Sequence, residues 1–211
     1  MTQADTVTRI LDSAEQLFAE KGFAETSLRM ITTRAKVNLA AVNYHFGSKK
    51  DLIQAVFARF LTPFTQKLDK ELDAMVATNR EPTFQDVLGV LARTMLTGVE
   101  THQRYNKLSV FMRLLGLAYT QAQGHLRRFL NENYAKTYGR FIGYLKAAHP
   151  TLSSDEIFWR IHFAIGSAVF TMSSLEVLRS MAQADTGHDA SVERVMQMLI
   201  PFLSAALEQE S

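Results

Sequence analysis

TSLRMITTRAKVNLAAVNYHFGSKK, residues 26–50, is the stretch that decides the fold. It carries Arg29, Arg34, Lys36, Lys49 and Lys50 and no Asp or Glu. Leu28, Met30, Ile31 and Ala35 recur at helical spacing and mark a short helix. Thr26 or Ser27 can cap it with a hydroxyl, and Asn38 is a good cap for a second helix that ends at Gly47. In that second helix Val42 and Phe46 lie four apart and face inward, while Val37 plugs the turn. Two short helices joined by a tight turn form an arrangement in which the second enters a DNA major groove and the first braces it on the backbone. An acid-free surface suits the phosphates.

The charge balance agrees. The whole chain has a net charge of +2, so the +5 of this segment leaves −3 for everything else. Positive charge is concentrated on one short surface and does not coat the protein.

The outward face of the second helix presents Asn38, Leu39, Ala40, Ala41, Asn43, Tyr44 and His45. The alanines allow close approach, Leu39 and the alanines suit thymine methyls, and Asn43 suits a base edge. Tyr44, His45, Lys49 and the cap hydroxyl of Thr26 or Ser27 suit phosphates. On these residues alone the pattern also describes a solvated basic face, with Tyr44 covering the core of the head and His45 an ordinary surface histidine.

Working outward, Val7, Ile10, Leu11, Ala14, Leu17 and Phe18 mark a helix over residues 5–21, with Gly22 as its stop. Ser48-x-x-Asp51 resembles a capping box and opens a long helix that Pro63 should kink or break. Thr83 caps a helix over 84–100, and residues 101–106 read as a turn. Helices follow over 107–119 and 124–148. Ser153-x-x-Glu156 is a capping box that starts one long helix to about residue 184. The last helix covers 191–208, with Pro201 marking a possible bend. The fold class is all-α, with about nine helices. A three-helix head, residues 1–50, carries the helix-turn-helix. A larger helical body, residues 51–211, remains for ligand binding and dimerisation.

Composition excludes several functions. Hydrophobic residues make up 47% of the chain, enough for a substantial core, and there is no cysteine for a disulfide, a thiolate metal site or a thiol nucleophile. His45, His102, His125, His149, His162 and His188 are scattered without metal-ligand spacing, and no Ser/His/Asp arrangement stands out. The expectation is therefore no enzyme and no cofactor. The first residues lack a signal-peptide pattern and no run is long enough to span a bilayer, so a cytoplasmic protein with no membrane partner is expected.

The block TSLRMITTRAKVNLAAVNYHFGSKKDL, placed after an amphipathic helix ending AEKGFAETS, resembles the signature of the TetR family of bacterial transcription regulators. The resemblance implies that Arg29 contacts a base. It also implies that Asn38, Leu39, Ala40, Ala41, Asn43 and Tyr44 form the recognition surface, and that His45 and Lys49 meet phosphates. The chain departs from the family pattern at three positions. Lys36 stands where glycine is common in the turn, Leu39 where Lys or Gln is frequent, and Asn43 where Tyr is frequent. The segments NLAAVNYHFGSKK, FMRLLGLAYTQAQGHLR and FWRIHFAIGSAVFTMSSLEVLRSMA are further similar to the PsrA-type subgroup, whose members regulate fatty-acid β-oxidation and related genes and respond to long-chain fatty acids.

That resemblance implies double-stranded palindromic operator DNA and a hydrophobic small-molecule effector as partners. The effector would be a long-chain fatty acid or acyl-CoA. It also implies a homodimer through the last two helices. Phe111, Met112, Leu115, Tyr119, Phe129, Trp159 and Phe163 suit the lining of an acyl pocket, although stripes of this kind also read as ordinary core. Arg113 and His162 interrupt apolar runs and suit a carboxylate, or else pair with Glu156 or Glu176. His125, Arg127 and Arg128 suit the phosphates of an acyl-CoA, or form a solvated face. The second reading is a TetR-type regulator of other genes, such as efflux genes, with a different hydrophobic effector.

Overall fold

The computed structural model describes residues 3–78, 80–96, 102–121 and 123–208. Among them there are ten helices and no strand. These are α1 (Gln3–Glu25), α2 (Leu28–Ala35), α3 (Leu39–Phe46), α4 (Lys49–Val76), α5 (Phe84–Leu96), α6 (His102–Thr120), α7 (Gly124–Ala148), α8 (Ser154–Ser173), α9 (Leu175–Thr186) and α10 (Val192–Glu208). The all-α expectation holds. The chain divides into two compact units. The first comprises Met1–Pro63 and Arg113–Asn133, the second Phe64–Met112 and Tyr134–Ser211.

The first unit is built on the apolar face of α1. Ile10, Ala14, Phe18, Ile31, Val42, Leu52 and Phe57 are wholly buried, and Leu114 and Leu126 add to this unit's buried set. Phe23 lies 5.4 Å from Phe18 and 6.3 Å from Phe57, ring centre to ring centre. The expected stop at Gly22 is present: Gly22 has φ 84 and ψ 168, which interrupts α1 four residues before Thr26. An L side chain resists that φ, so the break needs glycine.

The second unit closes around Leu72, Val87, Val90, Leu145 and Ile157, with Phe84, Phe141 and Leu207 against them. Arg140 of α7 holds Asp69 and Asp73 of α4, each at 2.6 Å, and Thr137 donates to the other Asp69 oxygen at 2.7 Å. The two carboxylates raise the Arg140 pKa further, so this cation is permanent.

Several boundaries differ from expectation. Of the kink or break expected at Pro63, the break is absent, because α4 runs through it; α10 likewise runs through Pro201, where a bend and not a break was expected. The turn expected over 101–106 is instead the start of α6 at His102. The stretch after it holds Gln, Arg and Lys, all good helix formers, and no Gly or Pro to stop a helix. Residue 101 and the expected end of α5 at residue 100 lie outside the described residues.

The one long helix expected after Ser153 is two, α8 and α9, bent by 75°. The bend sits at Ser173–Ser174, where Ser174 leaves helical geometry (φ −110, ψ 12). Serine hydroxyls compete for backbone groups and favour such breaks. The Ser109 hydroxyl of α6 donates to the Met172 carbonyl beside the bend at 2.9 Å, supplying a partner that a helix end lacks. This split turns nine expected helices into ten.

Candidate nucleic-acid interface

Local chemistry sets α2 and α3. Ser27 is the cap of α2, its hydroxyl accepting from the Met30 N–H at 3.2 Å. Asn38 caps α3, its Oδ1 accepting from the Ala41 N–H at 2.8 Å. Between them Lys36 takes a left-handed conformation, φ 53 and ψ 48. Its N–H returns to Thr33 and the Val37 N–H returns to Thr32 at 3.0 Å. The turn thus keeps the geometry glycine would favour, with a lysine in the position. A side chain outside this pair closes it. The Arg9 guanidinium of α1 donates to the carbonyls of Ala35 and Lys36, at 3.0 Å to the latter. A cation on the last carbonyls of α2 complements the negative end of its dipole.

Val42 is the only wholly buried side chain of α3, and with Phe46 half-buried it anchors the helix to the head. The opposite face is open. Tyr44 is 78% exposed and Leu39 39% exposed, and Asn38, Ala40 and Asn43 are exposed as well. Ala41 and His45 are half-buried, and the His45 ring packs edge-on against Tyr44 at 5.0 Å. The structure therefore brings Asn38, Leu39, Ala40, Ala41, Asn43, Tyr44 and His45 onto one short helix.

Of the phosphate candidates, Ser27 and Arg29 are exposed, whereas Thr26 is not. Thr26 is wholly buried, and its hydroxyl is shared between the carbonyls of Gly22 (2.8 Å) and Leu17 (3.0 Å). Ser27 alone offers a hydroxyl at the N-terminus of α2, and Thr26 serves the core. Lys49 is half-buried and its ammonium donates to the Ala24 carbonyl at 3.3 Å, which leaves two further donors. Arg34 does not contribute to the open basic surface. It pairs with Glu20 of α1 at 3.0 Å, and its hydrogen bond holds the Glu20 carboxyl below its ordinary pKa. Arg29 and Lys36 are exposed and make no ion pair among the described residues.

The effector candidates are divided between the units. In the second unit Phe111 and Met112 are buried on α6. Trp159 and Phe163 stack at 6.0 Å on α8 but are 51% and 66% exposed. They border an open hollow with Asp155, Glu156 and Arg160. His162 packs on Phe158 at 4.0 Å, and its Nδ1 lies 2.7 Å from the Phe158 carbonyl, which makes Nδ1 the donor. In the first unit Arg113 and Tyr119 are exposed, and Leu115 and Phe129 are half-buried. Burial first, and Lys50 second, lower the His125 pKa, which disfavours its charged form beside Arg127 and Arg128, and its Nδ1 is buried without a partner among the described residues.

Arg9 and Gln121 escaped the sequence reading. Arg9 is the lone cation among residues 3–20, beside the buried Ile10, and that isolation was its signal. Gln121 gave no local signal, since its partner is 98 residues away.

Residues 10–56 match the family described as "Bacterial regulatory proteins, tetR family", and residues 97–206, more than half of the chain, match "Tetracyclin repressor-like, C-terminal domain". The chain belongs to the TetR family. That family is described as one of bacterial regulatory proteins, a family of regulators and not of enzymes. The HTH-type transcriptional repressor Rv3405c of Mycobacterium tuberculosis is 38% identical over 99 residues, 47% of this chain and 51% of that protein. The chain thus spans about half the length of the first curated relatives it matches. Two solved structures share the fold. A TetR-family regulator from Haemophilus influenzae (TM-score 0.59, 15% identity) covers 96% of each chain. SmeT, the repressor of the Stenotrophomonas maltophilia multidrug efflux pump SmeDEF (TM-score 0.57, 19% identity), covers 96% of this chain and 91% of its own. No single described helix is long and apolar enough to cross a membrane.

Proposed function

We propose that this TetR-family protein is a cytoplasmic, homodimeric repressor that reads a palindromic operator through residues 1–50 and is released by a long-chain fatty acid or acyl-CoA bound in residues 51–211. Its targets are then genes of fatty-acid degradation. The observation that carries the DNA half is the two-faced α3, with Val42 wholly buried on one side and Tyr44 and Leu39 open on the other. Asn38, Leu39, Ala40, Ala41, Asn43 and Tyr44 meet base edges and the adjoining backbone, joined by Arg29 from α2. Ser27, His45 and Lys49 take phosphates, and Thr26 is left out because it is buried. A two-fold operator is matched by a two-fold protein whose recognition helices lie about 34 Å apart.

Support for the dimer comes from the outer faces of α8 and α10. Phe158, Trp159, Phe163 and Phe170 on α8, and Met198 and Phe202 on α10, are each about half exposed or more in the single chain. This aromatic surface, reaching from α8 to α10, suits a second copy better than water. On this reading Trp159 and Phe163 belong to the dimer face, and Phe111 and Met112 are the stronger lining for an effector. The fatty-acid effector is supported by the resemblance of residues 111–127 and 158–182 to the PsrA-type subgroup. A different hydrophobic effector and efflux genes form the second reading, supported by the fold shared with SmeT.

The test is binding to the DNA upstream of the protein's own gene, at fixed salt, with oleate titrated in. Specific binding that oleate abolishes is expected. Arg29→Ala should relax specificity by about 1–3 kcal/mol, and Lys49→Ala should weaken all DNA alike and reduce the salt slope by about one unit. Specific binding indifferent to oleate would remove the fatty-acid effector and keep the regulator. Failure to prefer any operator over random DNA would remove both.

A further inference from the structure

The first turn of α3 has little hydrogen bonding to offer a base. Leu39 and Ala40 open the helix, both exposed, and neither side chain carries a donor or an acceptor. Asn38 stands before them, but its Oδ1 accepts from the Ala41 N–H at 2.8 Å. A carboxamide whose acceptor is taken by a cap lacks the free pair of groups that a bidentate contact with adenine needs. Val42, wholly buried, holds the helix to the head, and Leu39 is left 39% exposed on the open side. Polar reading falls to Asn43, one turn on and on the same face as Leu39, exposed and with no contact to the described residues occupying its carboxamide.

What an apolar leading turn can read follows from the chemistry of the groove. In the DNA reading above, on which this inference rests, α3 enters the major groove with its N-terminal residues toward the base edges. There every base offers donors or acceptors, and only thymine adds an apolar group, its C5 methyl. A donor or acceptor pressed against a leucine loses its water and gains no partner, which costs free energy. A methyl pressed against it removes apolar area of both partners from water. The small side chain of Ala40 lets the backbone come close enough for that contact.

We propose that Leu39, flanked by Ala40, is a specificity-determining residue that reads a thymine in each operator half-site through its C5 methyl. Leucine at this position rejects a base that lacks the methyl, and it does so without a hydrogen bond.

The test starts from full-length protein and the duplexes it selects from a random pool. Each thymine of the selected site is then replaced by uracil, which deletes the methyl and keeps the base pairing, and affinity is measured at fixed salt. One thymine in each half-site should be sensitive. Its replacement should weaken binding about fourfold per methyl, and about fifteenfold when both halves are changed. In Leu39→Ala this uracil penalty should fall to about twofold or less, with non-specific binding and its salt dependence unchanged because no charge is lost. Leu39→Met, which keeps an apolar body of similar length, should retain most of the penalty. Uracil tolerated at every position overturns the proposal. So does a penalty of equal size in wild type and Leu39→Ala, since the methyl is then felt through the stiffness of the DNA. Both results leave the operator reading standing. A pool from which no sequence is enriched removes the operator reading, and the methyl contact with it.

Discussion

Replacing Lys36 by glycine should stabilise the protein, although lysine is the better helix former and adds to the basic charge of residues 26–50. Lys36 sits at φ 53, ψ 48, the only positive φ outside glycine among the described residues. A left-handed conformation costs an L residue roughly 1–2 kcal/mol. Glycine removes that cost but loses more freedom on folding, about 0.5–1 kcal/mol. The difference leaves a net gain of about 0.5–1 kcal/mol. The contacts that hold the turn are main-chain groups of Thr32, Thr33, Ala35, Lys36 and Val37 and the guanidinium of Arg9, none of which needs the Lys36 side chain. Lys36→Ala is the matched control, because it removes the same charge and keeps the Cβ that causes the strain. For a chain of this size Lys36→Gly should melt about 1–4 °C above Lys36→Ala, with the same slope in urea. The two variants should bind operator equally, having lost the same cation. Melting of Lys36→Gly at or below Lys36→Ala would show that the turn is not strained and refute the argument.

Arg9→Met removes the clamp on the end of α2. Charged hydrogen bonds of this kind contribute about 1.5–3 kcal/mol, and partial exposure of Arg9 brings the expected loss in urea melts to about 1 kcal/mol. Thr26→Val preserves shape but leaves the Leu17 and Gly22 carbonyls without their shared donor. It should cost about 1–3 kcal/mol of stability and leave the salt dependence of DNA binding unchanged. Ser27→Ala should lower operator affinity at all sequences, and an equal effect from Thr26→Val would undo their separation. Asp86 is held at about 2, below the ordinary 3.8, first by the Thr83 hydroxyl and then by the Thr83 N–H and Arg80. Its folded pKa is the lower one, so its contribution is present above pH 3.8 and disappears as pH falls through about 2. Carboxyl NMR titration of wild type against Thr83→Ala checks this, with the Asp86 midpoint moving upward in the variant.

The features legible in the sequence were those decided within four residues. Asn38 capping Ala41, Ser153 boxed with Glu156, Thr83 capping Asp86 and the break at Gly22 all follow from one residue type meeting its near neighbours. The open face of α3 was legible for the same reason, since α3 is short and Val42 alone fixes which side faces inward. Thr26 and Ser27 show where that reasoning stops. Both are hydroxyls at a helix start, and only the carbonyls of Leu17 and Gly22, brought there by α1, decide that Thr26 is the buried one. The bend at Ser174 is likewise supported by Ser109, 63 residues before Met172.

Periodicity on α8 has a deeper ambiguity. It marks an apolar face without saying whether that face meets its own chain or another. Ile157 and Ile161 turn into the second unit, while Phe158, Trp159, Phe163 and Phe170 turn out, so α8 is apolar on two sides for two different reasons. A side chain placed outward cannot both seal a dimer and line an enclosed acyl pocket in the same chain. The open positions of Trp159 and Phe163 therefore shift the effector question to α6, where Phe111 and Met112 are buried.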